Sequence, residues 1–404
     1  MPDKILKIIK AFVIPLSIIC LIAFVLFLNM TLLDLINVKS KPVTENKLLK
    51  SESQSNIKGT LITSLDIPTK PKTDKNNIFT SAITENKTKN DYNSKVDTFF
   101  NTNNTNPPAK LGTNIHWTVR EDPCKDVLLN EIIHQGNIQY AREEFNWDVI
   151  EPTPGSKDYS RYDEIMKSYR HYDVEILGLL AYSATWATNA PHDSNKKEFY
   201  PPRLDQWTDF VTETVSRYQD QVYAWEIWNE PNDPNFFKGS RQQYFELLRV
   251  TYQTIKSVDP NAKVISGGTT WPDPDYARDF YNSGMNQYSD GYGVHAYYCD
   301  QGIRDGHYEN LAEDLGAIIQ ISKKNQQPVW ITEFGCSSYQ IGEKKQADNL
   351  AYMMTLFNSS EDIERVYWYS LKDTPHNGKE GAYGLITDSF TIKQSFNAFK
   401  FFNP

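Results

Sequence analysis

LDQWTDFVTETVSRYQDQVYAWEIWNEPN, residues 204–232, contains one turn of the fold's repeating pattern and the first sign of its chemistry. In the first half, Trp207, Phe210, Val211, Thr214, Val215 and Tyr218 recur three and four residues apart, which places them on one face of a helix over 204–219. The second half, 222–228, is a short apolar and aromatic run of strand length. Working outward, the same alternation recurs. Strands are expected at 111–116, 138–142, 174–180, 222–228, 263–266, 291–295, 328–332 and 366–370. Helices are expected near 123–135, 160–171, 204–219, 241–257, 275–284, 308–323, 343–357 and 394–402. Eight strand-then-helix units in one continuous stretch, 110–404, match an α/β fold of the (β/α)8 (TIM) barrel type in count and size. The competing architecture, a doubly wound open sheet, would be expected to show a glycine-rich phosphate loop after an early strand, and none is present.

Upstream of the barrel the composition changes twice. Residues 11–28, AFVIPLSIICLIAFVLFL, carry no charge and follow Lys4, Lys7 and Lys10. As a helix this run would rise about 27 Å, enough for a thin bilayer. No small-x-small cleavage site follows it, and Ile19 rather than a small residue precedes Cys20, which disfavours a cleaved signal or a lipoprotein. Residues 1–39 are therefore expected to form an N-terminal membrane anchor, an uncleaved transmembrane helix over about 11–30. Lysines on both sides of the run blunt the positive-inside rule, so an extracytoplasmic barrel, periplasmic or extracellular, rests on the anchor's position and on the enzymatic reading below. Residues 40–109 are rich in Ser, Thr, Asn and Lys and poor in large apolar residues. Such a segment cannot offset its ordering entropy, so a disordered linker is expected.

The chain has 404 residues and a net charge of −9, and no basic patch appears, which argues against a nucleic-acid partner. Nine Trp, 24 Tyr and 20 Phe make aromatics abundant, which suits both core packing and sugar stacking. Cys124, Cys299 and Cys336 remain once Cys20 is set aside, with no CxxC spacing that would suggest structural zinc. Cys299 and Cys336 fall just past adjacent strands, which allows one disulfide in an exported domain. No HExxH, EF-hand loop or compact His/Asp cluster appears, so neither a catalytic metal nor any other cofactor is expected.

In a barrel of this type the chemistry lies at the C-terminal ends of the strands. The fourth strand ends in Asn229, Glu230 and Pro231, and the seventh, PVWITEFG at 328–335, ends with Glu333. One carboxylate at a strand end reads equally as an ion pair or a cap. A pair at these two strands is what glycosidic cleavage requires: one carboxyl to protonate the leaving oxygen, the other to attack the anomeric carbon. Strand alternation would send Trp228 and Glu230 to the same face, where the ring would help desolvate the acid. Arg142, closing the second strand, is the natural cation to keep Glu333 ionised.

WEIWNEP at 225–231 and WITEFG at 330–335 resemble the acid/base and nucleophile motifs of glycoside hydrolase clan A. YAREEFNWDVIEPTPGSKDY at 140–159 resembles the second strand and loop of family 39 within that clan. The resemblance covers about 111–404. It implies a retaining O-glycosidase with Glu230 as acid/base and Glu333 as nucleophile. It further implies that Asn229 hydrogen-bonds the sugar 2-hydroxyl, that Arg142 supports the site, and that His295 and Tyr297 stand beside the nucleophile. Trp368, in VYWYS at 366–370, would be the aromatic floor under the sugar. His116, Tyr182 and Trp186 follow the first and third strands and could either line subsites or pack. The expected substrate is a polysaccharide or oligosaccharide outside the cytoplasm. A transglycosylase and a non-catalytic carbohydrate-binding barrel are the alternatives. The presence of Glu230, Glu333 and Asn229 together counts against the binding barrel.

Overall fold

The structure, a computed structural model, describes residues 108–297, 299, 311–374, 378 and 381–403. The expected anchor over 11–30, and all but the last two residues of the expected linker, lie outside the described residues. Among the described residues no helix is long and apolar enough to cross a membrane.

Among the described residues eight strands and eight principal helices alternate: β1 (Lys110–Asn114), α1 (Asp126–Gly136), β2 (Tyr140–Asn146), α2 (Ser160–His171), β3 (Glu175–Ala181), α3 (Leu204–Tyr218), β4 (Val222–Ile227), α4 (Arg241–Val258), β5 (Lys263–Ser266), α5 (Pro274–Asn282), β6 (Tyr292–His295), α6 (Leu311–Lys324), β7 (Val329–Phe334), α7 (Glu343–Phe357), β8 (Ile363–Trp368) and α8 (Gln394–Phe402). All paired strands are parallel, in the order β5-β4-β3-β2-β1-β8-β7-β6. Isolated parallel bridges, Ile265 to Gly291 and Thr269 to Val294, join β5 to β6 and bring the ring round. This is the expected (β/α)8 barrel.

The expected face of α3 is the buried one. Trp207, Phe210, Val211, Thr214, Val215 and Tyr218 all pack inward, and Trp207 Nε1 donates to Thr251 Oγ1 of α4 at 2.7 Å. Each large apolar side chain so buried contributes roughly 1.5–3 kcal/mol. Ser240 and Gln243 form a reciprocal capping box at the start of α4.

Two strands differ most from the expected boundaries. β2 runs four residues past its expected end, through Asn146, because the charged residues beyond Arg142 are satisfied where they lie. Glu143 points outward and is fully buried. Its carboxylate accepts from the backbone N–H of Trp117 and Thr118, both at 3.0 Å, and from the hydroxyls of Thr118 and Tyr169, both at 2.7 Å. It thereby anchors the short helix Trp117–Arg120. β8 starts three residues early, at Ile363. Its Arg365 is buried in the lower barrel, ion-paired with Glu175, with Cζ 4.3 Å from the Tyr223 ring centre and 4.9 Å from that of Trp330.

The barrel interior is layered. Below lies Arg365 among aromatic rings. In the middle Leu177, Ala224, Ile265, Trp330 and Tyr367 form an apolar plug. Towards the C-terminal ends of the strands the interior becomes polar, with Asn114, Arg142, Glu226 and Thr332 all buried.

Candidate active site

Arg142 organises that polar layer. Its Nε donates to Glu226 Oε2 at 2.5 Å, Nη1 to Asn114 Oδ1 at 2.7 Å and to Glu333 Oε1 at 2.8 Å, and Nη2 to Asn229 Oδ1 at 3.1 Å. Burial works against its charge, but the Glu226 and Glu333 carboxylates more than offset it and raise its pKa above the usual guanidinium range. Glu226 in turn accepts from Thr332 Oγ1 and from the backbone N–H of Gly268, both at 2.9 Å. A planar fork is what allows one cation to hold four acceptors in fixed directions.

Glu333, at the C-terminal end of β7, accepts from Arg142 and from the Tyr297 hydroxyl. That hydroxyl is kept protonated, its pKa pushed well up by burial and then by the Glu333 carboxylate itself. Glu230 lies three residues past the end of β4. Its Oε1 is 2.8 Å from His295 Nδ1, and the same nitrogen is 3.6 Å from Glu333 Oε2. Burial of His295 lowers its proton affinity, while Glu333 and Glu230 raise it further, so the net pKa is raised. An oxygen of Glu230, an oxygen of Glu333 and a ring nitrogen of His295 all lie within 4.8 Å of one another. These three are the residues that could hold a cation. However, Arg142 already sits against Glu333 and His295 against Glu230, so the group is better supplied as a carboxylate pair than as a metal site.

The chain needs unusual local backbone to reach this arrangement. Trp228 (φ 68°) and Glu230 (φ 47°) both adopt left-handed conformations that non-glycine residues seldom take. Backbone bonds from Trp228 N to Leu180 O and from Glu230 N to Gly268 O, at 3.1 and 3.0 Å, hold them there. Strand alternation therefore stops at Ile227, and Trp228 does not share a face with Glu230. Its ring packs among Tyr182, Trp207 and Phe237, and its Nε1 donates to Phe236 O at 2.9 Å. Gly268 matters for a different reason: a Cβ there would meet His295 Nε2 and Thr332 Oγ1 at 2.4 Å.

The expected site residues divide into two groups. Glu230, Glu333, Arg142, Asn229, His295 and Tyr297 converge. His116 also comes near, with Nδ1 3.0 Å from Glu144 Oε1 and its ring edge-on to Tyr369. Tyr182 is half-buried beside Trp228 and Phe199. Its hydroxyl pKa is pushed well up by burial and then by the Glu144 and Glu333 carboxylates. Trp186 stands apart: it lies edge-on to Trp147 and donates to Glu151 O at 2.8 Å, as a packing residue does. Trp368 is likewise no floor. It is fully buried, edge-on to Phe334, which packs on Phe357 of α7, and its Nε1 donates to Tyr383 O. The ring that faces the site is the next residue, Tyr369, which borders Tyr297, Tyr383 and His116 and accepts a hydrogen bond from Arg120 at 3.1 Å. With β8 ending at Trp368, the site position falls one residue later than expected. Glu144, Glu226 and Arg120 were also missed. Glu226 had a signal in its alternation with Ala224 on β4, whereas Arg120 had none. Cys299 and Cys336 form a disulfide, with Cα atoms 5.6 Å apart, linking the segments just past β6 and β7.

A closed parallel barrel with glutamates meeting from the ends of β4 and β7 is the arrangement expected from the two glutamate motifs. The chain belongs to the glycosyl hydrolase catalytic-core family, which residues 181–397 match. A β-xylosidase of Geobacillus stearothermophilus is 28% identical over 236 residues, 50% of this chain and 47% of that protein. A β-1,4-xylanase of Dictyoglomus thermophilum is 26% identical over 140 residues, 32% of this chain and 38% of that one. The chain thus spans about half the length, or less, of these relatives. Among solved structures, a family 39 glycoside hydrolase from Bacteroides cellulosilyticus WH2 superposes with a TM-score of 0.59 at 21% identity, covering 76% of this chain and 64% of that one. A monomeric β-xylosidase from Caulobacter crescentus CB15 gives 0.58 at 18%, covering 73% and 67%. At these identities the likeness is one of fold.

Proposed function

We propose that this barrel is a retaining glycoside hydrolase that cleaves β-linked, xylose-containing saccharides by double displacement. The observation that carries the reading is the distance between the two carboxylates: an oxygen of Glu230 and one of Glu333 lie within 4.8 Å. Retaining enzymes hold the pair about 5–5.5 Å apart, whereas inverting enzymes need about 6.5–9.5 Å to admit a water. Glu333, fixed by two donors, is oriented as the nucleophile. Glu230, bonded to His295, protonates the leaving oxygen and then takes the proton of the incoming water. With Oδ1 turned to Arg142, Asn229 has its Nδ2 to offer a substrate hydroxyl, as the family resemblance implies. Tyr369 is the ring beneath the sugar. The choice of xylose rests on the relatives that are β-xylosidases and xylanases.

Hydrolysis of an aryl β-D-xyloside, followed by proton NMR, tests this. The first product is expected to be β-xylose, and α-xylose appearing first would overturn the nucleophile assignment. Glu333→Ala is expected to abolish turnover. Glu230→Ala is expected to slow substrates with poor leaving groups far more than activated aryl glycosides, and equal slowing would remove the acid role.

Residues 11–28 and the linker over 40–109 are read as a membrane anchor and tether that hold the barrel outside the cytoplasm. The hydropathy of the run supports this, as does a disulfide in the barrel, a bond favoured in oxidising compartments. Membrane fractions should retain the chain through carbonate washing, and protease added outside should reach the barrel. A chain that washes off, or a barrel that resists protease added both to intact cells and to sealed spheroplasts, would overturn it.

A further inference from the structure

The surroundings of the carboxylate pair differ in chemistry from one side to the other. Where β1, β2 and β8 end, charged and hydroxyl groups gather: Arg120 bonds the Tyr369 hydroxyl, and His116 lies against Glu144. Where β5 ends, the corresponding group is an indole. Trp271 is half-buried, with its ring edge-on to Tyr297 and 6.0 Å away, and Tyr297 is the residue whose hydroxyl donates to Glu333.

Trp271 also holds a left-handed backbone conformation, φ 57°, which is rare for a large side chain. Its loop is tied to the loop that carries Glu230. Asn232, two residues past Glu230, donates to Thr270 O at 3.2 Å and accepts from Thr270 N at 2.8 Å. Thr269 Oγ1 donates to Trp271 O at 3.1 Å, and Gly268 O receives the N–H of Glu230 at 3.0 Å. The same backbone that aims the acid therefore aims the indole.

Displacement at the anomeric carbon is in line. With Glu333 attacking from one side, the leaving oxygen departs on the other, beside Glu230. Glu230 lies past the end of β4, and the loop hydrogen-bonded to its segment is the one after β5 that carries Trp271. We infer that Trp271 is the platform on which the leaving-group sugar stacks, so that the natural substrate has a pyranose on both sides of the cleaved bond. This rests on the retaining-glycosidase reading above.

The same platform would receive an incoming sugar, which gives a test with an internal control. With β-D-xylopyranosyl fluoride, Glu333 bonds the anomeric carbon as fluoride leaves, and no sugar occupies the leaving side. The xylosyl-enzyme then has two fates. Water, or a hydroxyl of added xylobiose, bonds the anomeric carbon while the bond to Glu333 breaks and the attacking proton passes to Glu230. With the xylosyl group of the fluoride carbon-13-labelled, the initial ratio of labelled xylotriose to labelled xylose reads occupancy of the leaving-group side alone, and misfolded protein cancels from it.

In the full chain, Trp271→Ala is expected to lower that ratio about tenfold, the size of one good aromatic contact. Trp271→Tyr should restore most of it, and Trp271→Leu serves if the alanine variant does not fold. A ratio unmoved by Ala or Leu, or no transfer at all by the unsubstituted chain, overturns the platform. If the unsubstituted chain leaves the fluoride unconsumed, the xylose reading falls and takes this inference with it. A fluoride consumed with an unmoved ratio defeats the platform alone.

Discussion

Glu144 is expected to be the carboxyl through which this barrel senses acid. It lies near the C-terminal end of β2 with its side chain only 15% exposed, 3.0 Å from His116 Nδ1 and 3.8 Å from Arg120 Nη2. Burial alone would raise its pKa. His116, Arg120 and Arg142 outweigh burial and bring it down to about 2, from an ordinary 4.5. The native state thus binds this proton more weakly than the unfolded chain does. Its contribution to stability is full above pH 4.5 and is lost as pH falls from there through about 2. The interval corresponds to about 3 kcal/mol at most. Glu144→Gln keeps the shape and removes the charge, and it leaves Arg120 and Arg142 with one less counter-charge. At pH 7 the variant should be less stable by up to about 3 kcal/mol. The gap should narrow below pH 4.5 and close near pH 2. Urea unfolding followed by tryptophan fluorescence at pH 7, 5, 4, 3 and 2, wild type beside variant, reads the gap directly. A gap that stays constant across this range would mean that glutamine costs packing rather than charge, and the electrostatic argument would fail. No gap at pH 7 would refute it outright.

Two other substitutions probe how the carboxylates are held. Arg142→Lys keeps the charge but loses the fork, leaving buried Glu226 or Glu333 without its partner. A loss of about 3 kcal/mol or more is expected, with kcat down about a hundredfold and KM little changed; wild-type kcat would remove Arg142 from the positioning role. Gly268→Ala places a methyl 2.4 Å from His295 and Thr332, an overpacking worth about 1–3 kcal/mol, so Tm should fall by several degrees and activity with it; an unchanged Tm in a thermal melt would mean the loop yields freely.

The fold was legible because its signal is repeated. Apolar faces at helical spacing alternate with short apolar runs, and an error at one boundary does not alter the count. The two carboxylates were legible because each ends such a run. What was hidden lies where charge enters a strand. Glu143 and Arg365 lie beyond the expected strand bounds, and neither their burial nor the full set of partners of Arg142 shows in YAREEFN or IERVYW. Each is buried because distant partners satisfy it: Trp117, Thr118 and Tyr169 for Glu143, and Glu226 and Glu333 for Arg142. Those partners come from other strands and helices, so no local window contains them. The exchange of Trp368 for Tyr369 has the same root, since β8 ends two residues sooner than its apolar run suggests.

The buried ionic layer also says what the upper barrel is built for. Taking Arg142, Glu226 and Glu333 out of water costs several kcal/mol per ion, and well-packed apolar residues of similar volume would often be as stable or more so. The lower and middle barrel shows that this sequence can supply apolar packing: Leu177, Ala224, Ile265 and Trp330 fill the layer beneath. Stability alone therefore does not account for an arginine with four acceptors under the site. Direction does. A carboxylate on a single strand end is free to rotate about its side-chain bonds. One held by both Arg142 and Tyr297, with Arg142 itself fixed by Glu226, Asn114 and Asn229, is aimed. On this argument the cost of the layer is accepted in exchange for orientation. Substitutions that neutralise the whole Arg142–Glu226 pair together should therefore recover stability more readily than they recover turnover.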